Sequence, residues 1–467
     1  MRERLTRRDL AWGYSAQFVN LAGGIVLLPL LVIFLTPEEV GLWFVFLTMA
    51  SLAQLIELGL QPTLARNAAY VFTGVNDLRS EGVSYANLGA CVDVSLLRRL
   101  VNAGRRTYRL VAITVGGLLF VAGSAYVGHL QSSHPGAIHS AVPAWLAYSG
   151  GIVVTSYFGY YNAFIIGRGD VAHNNIIIVA TKGSFIVLGA TGVILGFGML
   201  GLGIASLISG IAGRFLANHY FRLDPRSLNA DPTADKNSTS LLLTLWPNAW
   251  RLSLVQLGSF LIVRANTLIA STFVSLTLVA SYGLTVQLLL VFSGIASQLA
   301  SLQLPRMNAA QVRADRAELQ RALGLAVVSS WLLFGICIIL IMTFGGAALE
   351  GLGKNIRLPD SGILCTLIVV TFLEMNHSIA AAYLTTLNRI PFTLAAIVSG
   401  FLMIIISSIL CGWLNLGLWG LVVAQGSVQL VYNNWKWPLE ALKHLEIGPL
   451  TLLRLGLGEL GHVLRGR

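Results

Sequence analysis

GLWFVFLTMASLAQLIELGLQPTLARNAA (residues 41–69) runs without a charge from Gly41 to Ile56, meets Glu57, and meets no other charge before Arg66. About 20 consecutive apolar residues span the ~30 Å hydrocarbon core of a bilayer as helix. The run lacks the strict alternation a transmembrane strand needs, so it reads as a membrane-spanning helix with a carboxylate near one end. The rest of the chain repeats the pattern. Its 467 residues are 55% hydrophobic and 11% charged, with mean hydropathy +0.74, a composition that no ordinary soluble domain has. Twelve such runs are expected, near 10–35, 40–63, 109–129, 142–166, 173–197, 200–220, 245–271, 276–303, 322–346, 361–386, 391–413 and 416–436.

Orientation follows from the 31 Lys and Arg, because basic residues are retained on the cytoplasmic side. Nearly all fall in alternate connections when both termini are placed inside, Arg214 being assigned to the cytoplasmic set. Loop parity therefore accounts for the net charge of +11 without a nucleic-acid partner. MRERLTRR (residues 1–8) leads straight into a span too long for a signal-peptide core, so the first helix is expected to remain as an anchor. Cys91, Cys337, Cys365 and Cys411 lack metal-binding spacing, and inert packing is their expected role.

The polar segment FRLDPRSLNADPTADKNSTS (221–240) separates six expected helices from six. The expected organisation is a bundle over 1–220, the linker 221–240, a second bundle over 241–437 and a cytoplasmic tail over 438–467. The opening stretch has a counterpart in GLTVQLLLVFSGIASQLASLQLPRMNAA (283–310), where Gly-Leu, Leu-Gln, Pro, Arg and Asn-Ala-Ala recur in order. That suggests a parallel duplication, as in several transporter folds. Two segments look amphipathic. DVSLLRRLVNAGRRTYRL (93–110), within the loop 70–108, sets Leu96, Leu97, Leu100 and Val101 on one face with arginines flanking. The tail PLTLLRLGLGELGHVLRGR (449–467) does so more weakly. Both are expected to lie on the membrane surface.

Motifs for covalent chemistry are missing: no phosphate-binding loop, no H-E-x-x-H, no G-x-S-x-G, and no long outward loop to build a catalytic cleft. The expectation is a non-enzyme without cofactor or metal. Four charges are placed inside spans: Glu57, Lys182, Arg264 and Glu374. An intramembrane charge costs about 2.5–3.5 kcal/mol on insertion scales, so each should face protein or a water-filled cavity. Amides gather on the first, second, seventh and eighth helices: Gln17, Asn20, Gln54, Gln256, Asn266, Gln287 and Gln298. On a regular helix Arg264 and Asn266 face nearly opposite ways. Thr371, Glu374, His377 and Ser378 form one stripe at i, i+3 and i+4 spacing, suited to a coupling proton or cation or to an interhelical hydrogen-bond cluster.

FLTPEEVGLWFVFLTMASLAQLIELGLQPTLAR (34–66) resembles the first hairpin of polysaccharide transporters of the Wzx O-antigen flippase type. The resemblance lies in Glu38 and Glu39 before Gly41 and Trp43, then Glu57-Leu58-Gly59-Leu60 followed by Arg66. VRANTLIASTFVSLTLVASYGL (263–284) and LQLPR (302–306) resemble the matching second hairpin. The chain departs from the family at Asn266, where many members carry Asp, and in its longer loop 70–108. The resemblance implies an all-α polytopic membrane protein of the multidrug/oligosaccharidyl-lipid/polysaccharide exporter superfamily, with two six-helix bundles around a central cavity lined by helices 1, 2, 7 and 8. It implies a substrate, an undecaprenyl-pyrophosphate-linked oligosaccharide, flipped across a bacterial inner membrane by alternating access, with other polysaccharide assembly proteins as partners. Under that reading Arg264, Arg66, Arg251, Gln17, Asn20, Gln54, Gln256 and Gln287 meet the substrate. Glu57, Glu374, His377 and Lys182 serve coupling or gating, Glu57 by pairing with Arg66 or with the other bundle. A cation-coupled drug exporter, a peptidoglycan-precursor flippase with two more helices, and a membrane-embedded glycosyltransferase, polymerase or ligase are the alternatives.

Overall fold

Residues 7–57, 60–74, 92–133, 140–224, 254, 257–258, 260–262, 264–312, 315–351, 357–387 and 391–464 are described by the computed structural model. Regular structure among them is helical throughout, and each of the twelve expected stretches carries helix. Seven of these helices are individually long and apolar enough to cross a membrane. Contacts divide the chain into two compact units, 1–257 and 258–467.

The first unit comprises α1 (Arg7–Phe34), α2 (Pro37–Glu57), α3 (Leu60–Phe72), α4 (Val94–Gly117), α5 (Ser124–Ser133), α6 (Ala141–Tyr157), α7 (Tyr160–Gly167), α8 (Val171–Ile194) and α9 (Gly198–Arg222). A reciprocal capping box starts α2: the Thr36 N–H donates to Glu39 Oε2 at 3.0 Å and the Glu39 N–H to Thr36 Oγ1 at 3.2 Å. Glu39 of the family-like pattern therefore has a structural task. A π-helical turn over Leu118–Gly123 joins α4 to α5, and the Leu119 carbonyl accepts the Trp145 indole N–H at 3.0 Å. The hub is α9, packed against both α6 and α8. Its crossing with α6 is backbone to backbone: a Cβ on Gly151 would run into the Ser206 carbonyl, and one on Gly203 into that of Ala144. Small residues at such crossings give the close packing that lipid, being as apolar as leucine, does not drive.

The segment 93–110 departs from its expected surface position. It is the start of a single 40-residue helix, Val94–Ser133, about 60 Å long and so too long to end at the bilayer face. Asp93 caps it, accepting from the N–H groups of Leu96 (3.0 Å) and Ser95 (2.8 Å), which hold the carboxyl below its usual range. Leu96, Leu97, Leu100 and Val101 are buried in a cluster with Leu64, Ala68, Tyr160, Phe164 and Phe221. Their amphipathic pattern thus marks a protein-facing stripe, because α3, α7 and α9 supply an apolar surface that periodicity cannot distinguish from lipid. Near this cluster, Arg168 donates to Asp170 Oδ2 (3.0 Å) and to the Tyr220 carbonyl (2.7 Å), while His173 Nδ1 pairs with Asp170 Oδ1 (2.7 Å). Burial pushes the Asp170 carboxyl up, but His173 and Arg168 outweigh it and hold it below the ordinary carboxylate range.

The second unit comprises α10 (Ala265–Phe273), α11 (Leu276–Val312), α12 (Arg316–Gly351), α13 (Ser361–Thr385), α14 (Thr393–Ser408), α15 (Leu418–Val431), α16 (Asn433–Leu445) and α17 (Pro449–Leu464). Here the counterpart of α2 and α3 is the single 37-residue helix α11. The tail segment packs against α12. The backbones of Gly456 in α17 and Gly324 in α12 approach so closely that a Cβ on either would meet the other chain segment. Arg306, at the end of α11, donates to Glu318 Oε1 of α12 (2.5 Å) and Glu459 Oε1 of α17 (2.6 Å). Arg316 pairs with Glu446.

Candidate functional site

Each unit holds a buried polar cluster. In the first, the last residue of α2, Glu57, accepts a hydrogen bond from Ser156 Oγ at 3.3 Å. Its carboxylate sits at the interruption between α6 and α7, where Gly159 leaves room: a Cβ there would meet both Glu57 Oε1 and the Tyr108 ring. Arg214, on α9 and only 8% exposed, lies within electrostatic reach of Glu57. Its Nη1 donates to Asn162 Oδ1 at 2.7 Å, and Asn162 Nδ2 donates to Asn174 Oδ1 at 2.8 Å. The Tyr108 hydroxyl and Arg214 Nε are buried without a hydrogen-bond partner among the described residues. Arg214 was expected among the cytoplasmic anchors and is instead the interior counter-charge of Glu57. Arg214 shares a buried stripe with Gly210, Gly213 and Ala217, all within four residues of it.

Beside this cluster opens a cavity of about 400 Å³ within the first unit. Glu57 and Gln61, Tyr148 and Thr155 of α6, Thr181, Lys182 and Phe185 of α8, and Ser206 and Ser209 of α9 are among its lining residues. Two of the residues assigned to gating, Glu57 and Lys182, thus meet at one cavity, with Lys182 at its exposed side. Trp43 stacks on Phe185 (ring centroids 6.4 Å apart, planes at 15°) and meets Tyr148 edge-on at 5.2 Å, which fixes the aromatic wall. Arg66 is exposed on α3 and makes no ion pair with a described residue. The pairing of Glu57 with Arg66 is accordingly replaced by that with Arg214: α3 is a separate helix, and the carboxylate points toward α6 and α9.

In the second unit, Gln425 Nε2 donates to Glu374 Oε1 (2.8 Å), Asn266 Nδ2 to Gln425 Oε1 (3.1 Å), and Ser407 Oγ to Asn266 Oδ1 (3.0 Å). One turn further along, Asn433 Nδ2 donates to Ser399 Oγ (2.9 Å) and Gln429 Oε1 (3.0 Å). His377 Nδ1 pairs with Asn434 Oδ1 at 2.9 Å. Glu374 and His377 share a helix face yet answer to different partners, so the stripe is two hydrogen-bond sites rather than one. Asn266 is fully buried and tied inward. Arg264 occupies a turn immediately before α10, with φ −109° and ψ −31°. That turn, and not a regular helix, separates it from Asn266. The Arg264 guanidinium is half-buried and makes no hydrogen bond or ion pair with a described residue. Gln287 is half-buried on α11. Arg251 and Gln256 lie outside the described residues, as do the side chains of Gln17, Asn20 and Gln54. No group of His, Cys, Asp and Glu side chains suited to a metal ion occurs among the described residues.

No protein-family model and no curated protein matches this chain. Solved structures do. An inward-facing multidrug resistance MATE family transporter of the MOP superfamily is 18% identical over 96% of this chain and 97% of its own, with TM-score 0.65. An outward-facing transporter of the same description is 19% identical over 94% of both chains, with TM-score 0.56. The lipid II flippase MurJ in an inward closed conformation is 13% identical over 98% of this chain and 91% of its own, with TM-score 0.64. At such identities the likeness establishes the fold alone, the all-α polytopic architecture that these structures share.

Proposed function

We propose that the protein is a multi-pass transporter of a bacterial inner membrane that flips an undecaprenyl-pyrophosphate-linked oligosaccharide from the cytoplasmic to the outer leaflet. The observation that carries this reading is Arg264: a guanidinium within an apolar run, in a helix interruption, with no ion pair or hydrogen bond to a described residue. A cation kept at that cost serves an anion from outside the chain, and a pyrophosphate accepts arginine in a bidentate manner. Transport proceeds by alternating access without covalent change to the substrate. Deleting the gene and assaying leaflet distribution of the lipid-linked oligosaccharide tests it: complete units accumulate on the cytoplasmic side. Accumulation outside would instead indicate a polymerase or ligase. Arg264→Ala abolishes transport at unchanged membrane level and Arg264→Lys retains part; unchanged transport in Arg264→Ala removes the argument.

A cation-coupled drug exporter is the second reading. It draws support from the multidrug transporters of the same fold and from a carboxylate beside aromatic rings, Glu57 near Tyr148 and Phe185. Efflux of a cationic dye that depends on Glu57 separates it from the first.

A further inference from the structure

We infer that the second unit carries a phospholipid site: the apolar cavity between α12, α13, α16 and α17 takes an acyl chain of an anionic glycerophospholipid from the surrounding bilayer, with the headgroup against Lys443 and Arg454. The site shares no residue with the polar relay around Glu374, so it holds whatever the protein transports.

The cavity measures about 310 Å³. Leu323 and Val327 of α12, Ala380 of α13, Leu439 of α16 and Leu452 of α17 are among its walls. None of its described lining residues is charged or carries a hydroxyl. Both indole N–H groups there are already spent: Trp331 Nε1 donates to Asn376 Oδ1 (3.2 Å) and Trp435 Nε1 to the Val431 carbonyl (3.0 Å). Among the described residues the Asn376 amide nitrogen is then the side-chain donor left on the wall, too little to hold a sugar or an ion. An apolar space of this size forfeits contacts on every side unless an apolar group fills it. Its position names the filler. The α12 walls fall near the start of the expected span 322–346 and the α13 walls in the last half of the span 361–386, so the cavity stands at the depth of one leaflet. Trp435 and Leu439 are exposed as well as lining, so it opens on the outer surface of the unit, where Leu332 and Leu450 are exposed too.

Charge selects the headgroup. Lys443 follows the lining Leu442 and stands one turn from the lining Leu439, and Arg454 follows the lining Leu453. Both are exposed, and neither is in a salt bridge with a described residue. The carboxylates of α16, of α17 and of the turn between them are engaged elsewhere: Glu440 with Lys436 (2.8 Å), Glu459 with Arg306 (2.6 Å) and Glu446 with Arg316. Lys443 acts on Glu440 only electrostatically. Two cations beside an apolar slot at a membrane face suit an anionic lipid headgroup, which long basic side chains reach along their own apolar stems.

The test is retention of lipid by the purified full-length protein. Native mass spectrometry in detergent counts bound phosphatidylglycerol and phosphatidylcholine of the same chains. Phosphatidylglycerol with a diazirine in its acyl chain maps the contact by photocrosslinking in nanodiscs. The wild-type protein retains phosphatidylglycerol at least about 5-fold over phosphatidylcholine, and crosslinks fall within 323–331 and 435–453. The double variant Lys443→Gln with Arg454→Gln, both at exposed positions, keeps the crosslinks and loses the preference. Equal retention of the two lipids by the wild-type protein, an unchanged preference in the double variant, or crosslinks spread over other exposed apolar stretches such as 110–121 and 336–344 each overturn the inference. So does displacement of phosphatidylglycerol by an equal amount of undecaprenyl phosphate, which would make the cavity a seat for a polyprenyl tail. None of these readouts uses transport, so an even leaflet distribution in the deletion strain defeats the flippase reading and leaves this result standing.

Discussion

Glu57 in the first unit and Glu374 in the second stand in opposite surroundings. Glu57 has a guanidinium, Arg214, as counter-charge and borders an open cavity. Glu374 has only amides, in the relay Gln425 to Asn266 to Ser407. At the repeated arginine the contrast runs the other way: Arg66 is exposed, while Arg306 joins α11 to α12 and α17 through Glu318 and Glu459. Around these two carboxylates, the first unit sets ionic groups beside a cavity and the second sets neutral groups packed against each other. A charged cluster is sensitive to losing one member, since the remaining charge stays buried; an amide relay loses only hydrogen bonds.

That contrast breaks most readily at Arg214. Arg214→Met leaves Glu57 without its counter-charge and lowers stability by about 3–5 kcal/mol, seen as early thermal unfolding in detergent. The double variant with Glu57→Gln recovers most of the loss; if it does not, the two residues are not a pair. In the second unit Gln425→Ala costs about 1–3 kcal/mol by stranding Glu374 and Asn266, whereas Glu374→Gln costs about 1 kcal/mol or less because an amide still accepts from Gln425. A Glu374→Gln effect as large as that of Arg214→Met would erase the distinction. Glu459→Gln, acting on a partly exposed pair, costs about 0–1 kcal/mol, and the cost shrinks further in high salt. The smallest effect is a pH dependence at Asp170. Its folded carboxyl titrates below the ordinary value, so its contribution is complete above the unfolded pKa of about 3.9 and is lost as pH falls through the folded one. Asp170→Asn flattens that acid limb of a stability profile.

That the apolar stretches are helical was legible in the sequence, because a 20-residue sum of hydropathy tolerates local error, while helix ends such as Val94 and Val312 were not. The four intramembrane charges were legible for the same reason, and Glu57 and Lys182 do meet at one cavity. Arg214 was not, since charge parity treats any arginine near a span end as an anchor and cannot see that its helix face is the one α6, α7 and α8 cover. The segment 93–110 failed similarly: an apolar stripe flanked by arginines is identical on paper whether lipid or α3 and α7 cover it.

Hydropathy and the placement of basic residues therefore dictate a twelve-stretch helical membrane protein with charges in its interior, as each is a property of one contiguous window. Which charge faces which, where a cavity remains and which amphipathic faces meet protein depend on contacts between residues far apart in the chain, such as Glu57 and Arg214, 157 positions apart. Those contacts follow from how closely α6 and α9 cross at Gly151 and Gly203, a steric fact that no single helix contains.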